Sequence, residues 1–537
     1  MTTEGDSRLA VIDLGSNSFR LVVFEAHSGA ASPERRLSSF WRADDPEPPL
    51  GAWWKRTDEI YEPVRILAGG AETGELTAEG LDRALATIDV FAQFCAASGL
   101  PPEEIEAVAT SAIRDALNAE SVLASARDEL GLTIRVLSPQ EEARYGYLAA
   151  INSTDLQSGI VLDLGGGSMQ LIEVDARAAL TLASWPLGAV RMTERFLPSD
   201  EPAGAKAIAK LRAHVASELE AASWLENGGP RIIGIGGTVR NLAAAIQRAE
   251  SIAEFGVQGF KIKRGQLDQL IERLAEMDPA DRSCVAGIKP ARGDIILAGA
   301  IVVAEVLEAG GFKAIEVTEA GLREGIFFER LLAERDEPLL DDVRRASVLN
   351  LAAQYDPHAA HTRHVAALAL GLFDQLAEAG LHSGDDDERE LLTAACLLHD
   401  IGVAVDYDDH HKHSRYLVLN AGLPGFTPRE VALIGQIVRY HRKGMPSLGP
   451  FAGLMKDGDA ELLDRCALLL RLAEDLERSR DQLVKETHTS VNGASVTLQL
   501  VADGPAEVPR WAVSREGELF ERAFLRTLEV AAEVPAE

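Results

Sequence analysis

An α/β fold of two similar halves, followed by a nearly all-helical region, is what this sequence predicts. Three observations carry it. One glycine loop occurs as two near copies 150 residues apart, Asp13-Leu-Gly-Ser-Asn-Ser18 and Asp163-Leu-Gly-Gly-Gly-Ser168. Strand-like and helix-like segments alternate around both copies, and the pattern turns helical near residue 331.

Each loop sits between two apolar runs, 9–12 and 21–24 in the first case, 159–162 and 171–174 in the second. The pattern reads as strand, tight turn, strand. A turn free of bulky Cβ groups lets backbone N–H groups converge on a phosphate; serine adds a donor, and aspartate can hold a divalent cation or orient a water. A plain hairpin turn is the alternative for either copy alone. The repetition favours a duplicated lobe with phosphate between the halves.

At 537 residues the chain is too long for one core, and its 46% hydrophobic and 26% charged residues are ordinary for globular protein. No apolar stretch approaches the roughly 18 residues of a membrane span, and the longest, 295–304, runs into Glu305. The first residues lack a basic segment followed by an apolar one, and the four scattered cysteines fit buried thiols in a reducing compartment, so a cytoplasmic location is expected. A net charge of −31 argues against a general nucleic-acid or anionic-membrane surface. A polyanionic substrate would have to meet a local basic channel.

Along the chain, residues 31–60, with four prolines and three tryptophans, read as an insertion between strands. Thr77 and Glu79 open a helical pattern. Residues 107–110 read as a strand ending in a helix start, with Arg114 one turn inside and able to reach an anion there. At Ser138-Pro139-Gln140-Glu141-Glu142, Ser138 is a natural N-cap and Glu141 completes a capping box. Glu142 has no such duty and is free to take a proton from an attacking water. A third glycine loop, 232–240, feeds a helix, and Gly321 opens another after the strand-like residues 315–318.

The ordered motifs DLGSNSFRLVVFE, ATSAIRDALN, PQEEARYGYL, VLDLGGGSMQL, PLGAVRMTE, GIGGTVRNLA and GLREG resemble the exopolyphosphatase and guanosine pentaphosphate phosphohydrolase (Ppx/GppA) family over about residues 8–330. The resemblance implies the two-lobed fold shared by acetate kinase, sugar kinases, heat-shock protein 70 and actin, with phosphates in the interlobe cleft. It implies Glu142 as the base, phosphate contacts from Gly15, Ser16, Asn17, Ser18, Arg114, Gly165, Gly166, Gly167 and Ser168, and Mg²⁺ or Mn²⁺ at Asp163, with Asp13 beside it. One departure is that Gln170 replaces the acidic residue usual after the second loop.

Nine of the 12 histidines lie between His358 and His441. Taken as helix, His361 is about one turn from both His358 and His364. The succession of His361, the pair His399-Asp400 and a later acidic residue resembles the HD phosphohydrolase superfamily, which implies a second divalent metal at His361, His399 and Asp400. The later ligand aligns with Glu474, beside Asp475. A degenerate HD module that docks substrate or forms a dimer is the rival reading.

The expected organisation is a first lobe at 1–137, a second at 138–330, an HD-like helical domain at 331–484 and a small α+β appendage at 485–537, with a strand at 494–501 and a helix at 519–530. The expected function, as a homodimer, is hydrolysis of terminal phosphates from inorganic polyphosphate. Guanosine pentaphosphate hydrolysis, a link to the stringent response, is the nearest alternative. A kinase-like transferase and a non-enzymatic polyphosphate or alarmone sensor are more distant ones.

Overall fold

A computed structural model of the chain describes residues 6–28, 52–66, 74–252, 256–356, 358–531 and 534–535. Apolar residues on both faces make β1 (Asp6–Leu14) and β2 (Phe19–Ser28) buried core strands; Val11, Ile12, Leu21 and Val22 are fully enclosed. With β3 (Ala52–Glu62), β4 (Ile105–Ala109) and β5 (Ile134–Val136) they form a sheet of order β3-β2-β1-β4-β5. β1 runs antiparallel to β2 and parallel to β4. The expected insertion lies outside the described residues up to residue 51; its last part, from Ala52, is strand.

The second sheet comprises β6 (Gly159–Leu164), β7 (Met169–Asp175), β8 (Ala178–Trp185), β9 (Ile232–Ile235), β10 (Lys261–Lys263) and β11 (Ala314–Val317), in the order β10-β11-β9-β6-β7-β8. Read from β8, it repeats the first sheet strand for strand and adds β10 at the far edge. The antiparallel β1–β2 and parallel β1–β4 and β4–β5 pairings recur as β6–β7, β6–β9 and β9–β11. The apolar run near residue 300 is the helix Ile296–Ala309, buried in this lobe's core. Among the described residues no helix is long and apolar enough to cross a membrane.

Two helices carry the chain between lobes. Helix Pro139–Ile151 leaves β5 and packs on β6, β7, β8 and β9. Helix Leu322–Leu331 leaves β11 and packs on β1 and β2, where Phe327 stacks on Phe24 with ring centroids 4.4 Å apart. The two helices cross at Gly325, where any Cβ would run into the Tyr145 carbonyl.

A second compact unit holds the helical region. Its main helices are Ala359–Glu378, Asp386–Leu398, His410–Ala421, Pro428–Tyr440 and Asp459–Leu476. A small sheet follows, of β12 (Val484–Asn492), β13 (Ser495–Ala502), β14 (Thr527–Val530) and β15 (Val534–Pro535). The helix expected over 519–530 stops at Phe524. Leu525 turns left-handed (φ 54°), and residues 527–530 pair in parallel with β13. Cys95, Cys396 and Cys466 are buried as expected, whereas Cys284 is exposed.

Candidate active site

Leu14 pairs with Phe19 and Leu164 with Met169, so each loop is a four-residue hairpin turn. Gly15 N–H donates to Ser18 O at 3.2 Å and Gly165 N–H to Ser168 O at 3.0 Å. The hairpin reading holds for both loops, and it is compatible with the anion-loop reading. Both turns line a single pocket that opens to solvent. They face each other closely: a Cβ on Gly166 would lie 3.1 Å from Ser16 Cβ. Gly167 does not line the pocket; it packs against the Ser16 and Ser111 hydroxyls, which are 3.1 Å apart.

The carbonyls of the second loop are held away by the start of helix Ala189–Phe196. Gly165 O accepts from Ala189 N–H at 3.0 Å, Gly166 O from Val190 N–H at 2.9 Å, and Gly167 O from Arg191 Nε at 3.0 Å. Their lone pairs are consumed there, which suits a site for anions.

The capping box forms as read: Ser138 Oγ accepts from Glu141 N–H, and Glu141 Oε2 accepts from Ser138 N–H at 2.8 Å. That leaves Glu142 aimed into the pocket and buried. Its Oε1 accepts from Ser168 Oγ at 3.1 Å and its Oε2 from Arg114 Nη1 at 2.9 Å. Burial pushes the Glu142 carboxyl above its ordinary range, against the opposing pull of Arg114 and Ser168. Arg114 also donates to Leu137 O at 2.9 Å, so it partners the carboxylate rather than lining the pocket. Gln170, opposite Asp163 on β7, donates to Ser168 Oγ at 3.0 Å and to Ser184 Oγ at 3.3 Å. The residue that departs from the motif therefore orients the serine that orients Glu142.

Asp13 and Asp163 line the same pocket. Burial raises both carboxyls; Asp163 is pushed up to about 7, with Glu142 and Asp13 adding repulsion. Arg323, 3.9 Å from Asp13, offsets part of that charge. Three carboxylates crowded in one pocket suit a divalent cation. Mg²⁺ fits a site with one or two carboxylates because it completes its shell with water and phosphate oxygens.

Four arginines missed by the motif reading complete the lining: Arg20, Arg240, Arg292 and Arg323. Arg240 and Arg292 are lowered to about 10 each, first by burial and then by like charge, from Arg323 and Arg20 on Arg240 and from Arg20 on Arg292. Such mutual repulsion is relieved by a bound polyanion. Arg20, Arg240 and Arg323 stood inside quoted motifs, whereas Arg292 carried no sequence signal, and only the close approach of Gly237 to its guanidinium reveals it.

In the second unit, His361, His399 and Asp400 come together, all buried, with one donor atom of each within 4.8 Å of the others. Glu474 joins them, its Oε2 3.1 Å from His361 Nε2 and 3.3 Å from His399 Nε2. Asp475 turns away and pairs with Arg478 at 3.4 Å.

Residues 58–334 match the model of the Ppx/GppA phosphatase family, and residues 343–508 match that of Ppx/GppA phosphatase, domain III. Among solved structures, the chain is similar to an exopolyphosphatase-like protein (26% identity, TM-score 0.51, covering 60% of this chain and 97% of that one). It is also similar to an exopolyphosphatase from Cytophaga hutchinsonii (21%, 0.52, 60% and 98%). A third similar structure is the Aquifex aeolicus member of the Ppx/GppA family (26%, 0.49, 62% and 100%).

Proposed function

The chain belongs to the Ppx/GppA phosphatase family and is a phosphoanhydride hydrolase; from that premise we propose that it is an exopolyphosphatase, removing terminal phosphates from inorganic polyphosphate. The observation that carries this reading is that four arginines line the pocket together with the twin loops. A single terminal phosphate needs the loops alone, whereas a run of phosphates needs cations along its length. Guanosine pentaphosphate is the second reading, but no aromatic ring lines the described pocket to stack a guanine base.

In this mechanism the backbone amides of Ser16–Ser18, Gly166 and Ser168 hold the terminal phosphoryl group, the arginines that line the pocket meet the substrate's charge, and Arg114 stays on Glu142. Glu142, fixed by Ser168, takes the proton from a water in line with the scissile bond. Asp163, with Asp13 nearby, would hold Mg²⁺, which when bound neutralises phosphate oxygens. Phosphate release from long-chain polyphosphate and from guanosine pentaphosphate, measured side by side, tests the assignment. A kcat/KM at least about tenfold higher for polyphosphate is expected, and the reverse preference would overturn it.

The base must be ionised to work, and burial raises its pKa. Activity therefore falls as pH drops, along a limb above the ordinary glutamate range. Gln170→Glu places a second carboxylate against Ser168 and disfavours ionisation of Glu142, so the limb should move to higher pH. A pH–rate profile with an unmoved limb would contradict the relay from residue 170 to Glu142.

A further inference from the structure

The strand order of the first sheet gives the pocket two ends. The reacting end is on the β4 side, where Arg114 follows β4 and donates to Glu142 at 2.9 Å. Arg20 stands on β2, opposite Asp13 of β1, and therefore on the far side of β1 from β4. Two strand spacings, on the order of 10 Å, separate β2 from β4. Arg20 is the lining cation contributed by that far side of the sheet.

β3, the edge strand beside β2, brings a carboxylate to it. Glu59 Oε1 accepts from Arg20 Nη1 at 3.1 Å, and Glu59 Oε2 lies 3.3 Å from Arg56 Nη1. Tyr61, two residues along β3 and so on the same face, sets its ring against the Arg20 guanidinium, with Cζ 4.7 Å from the centroid. Arg20 is thus held by both a charge and a ring, and the ring remains if the charge is removed.

The charges around Glu59 are those of the pocket. Burial opposes its ionisation, yet Arg56, Arg20, Arg323 and Arg240 outweigh burial and hold the carboxyl below its ordinary range. Burial, then Arg20 and Arg240, lower the Lys289 ammonium, and Glu59 pulls it back up. Glu59 does not itself line the pocket, whereas the arginine it neutralises does.

We propose that Glu59 is a specificity-determining residue: as the fixed counterion of Arg20 it weakens the hold on phosphates remote from the scissile bond, and so limits the preference for long chains over short ones. This role rests on the polyphosphate reading and adds to it the residue that tunes chain length. A phosphate that reaches Arg20 competes with an anion already in place. A chain too short to reach Arg20 meets no such competition. Arg56 keeps the carboxylate charged and anchored when Arg20 turns to substrate.

The test is steady-state phosphate release by the full-length wild type and Glu59→Gln, from long-chain polyphosphate and from tripolyphosphate. Glutamine keeps the shape and can still accept from Arg20, so only the charge is removed. KM for the long chain is expected to fall about fivefold, the scale of one unit-charge contact in water, with kcat unchanged. Tripolyphosphate should show neither change, which also reports an intact fold. The slope of log KM against log salt for the long chain should steepen by about one, because one more cation is free to meet phosphate. A long-chain KM that stays the same, or that rises as it would if Glu59 only positioned Arg20, overturns the proposal and leaves the polyphosphate reading standing. Equal shifts for both substrates overturn it too. A wild type that cleaves guanosine pentaphosphate and neither polyphosphate overturns the parent reading, and this role with it.

Discussion

Glu142→Gln is expected to lower kcat for polyphosphate hydrolysis by about 10²–10⁴-fold, the usual contribution of a positioned general base, while substrate affinity changes little. Glutamine keeps the shape of the side chain and can still accept from Ser168 Oγ, which lies 3.1 Å away. It loses the charge that pairs with Arg114 and the basicity that activates water. With that carboxylate neutral, the guanidinium 2.9 Å away is freer to meet phosphate, so binding should hold or tighten. Initial-rate phosphate release together with equilibrium polyphosphate binding to the same variant separates the outcomes. A parallel loss of affinity and turnover would make Glu142 a substrate anchor rather than a base.

Gly188→Ala should be nearly as damaging, although its side chain would never touch substrate. The backbone there is ordinary (φ −63°), so strain is not the issue. A Cβ would be driven into the backbone of Gly166 and Gly167, atoms that cannot rotate away. Overpacking of this kind costs about 1–3 kcal/mol of stability. The loop is also pushed from the position in which the amides of Ala189 and Val190 hold its carbonyls. A misplacement of about 1 Å at a phosphate-holding loop costs on the order of 100-fold in rate. Denaturant unfolding and steady-state kinetics on one preparation should show both losses. Full activity in this variant would mean that the second loop does not grip the reacting phosphate.

The twin loops were legible because their geometry is local: a four-residue turn between paired strands is written in consecutive residues, as is the Ser138–Glu141 capping box. The alignment of Glu474 left its neighbour Asp475 open, because adjacent helix positions point about 100° apart. The packing of that helix in the core fixes its rotation and turns Glu474 toward the histidines. Arg292 and β14 were invisible for another reason. Each owes its place to a partner distant in sequence, Gly237 for the arginine and β13 for the strand, and no local pattern encodes such a meeting. Residues 519–530 carry helical periodicity, which the parallel pairing of the last four overrides.

The ion pair between Arg114 and Glu142 joins two parts of the chain that belong to different lobes. Arg114 follows β4 of the first sheet, while Glu142 rides on the helix packed against the second and stays with Ser168. Both loops are turns between paired core strands, so a widening of the crevice would have to come from one half moving against the other. Such a swing unfastens the arginine from the glutamate and leaves the serine in place. A pair placed across the two halves in this way would act as a latch, and opening it to admit substrate would change the charge beside Glu142.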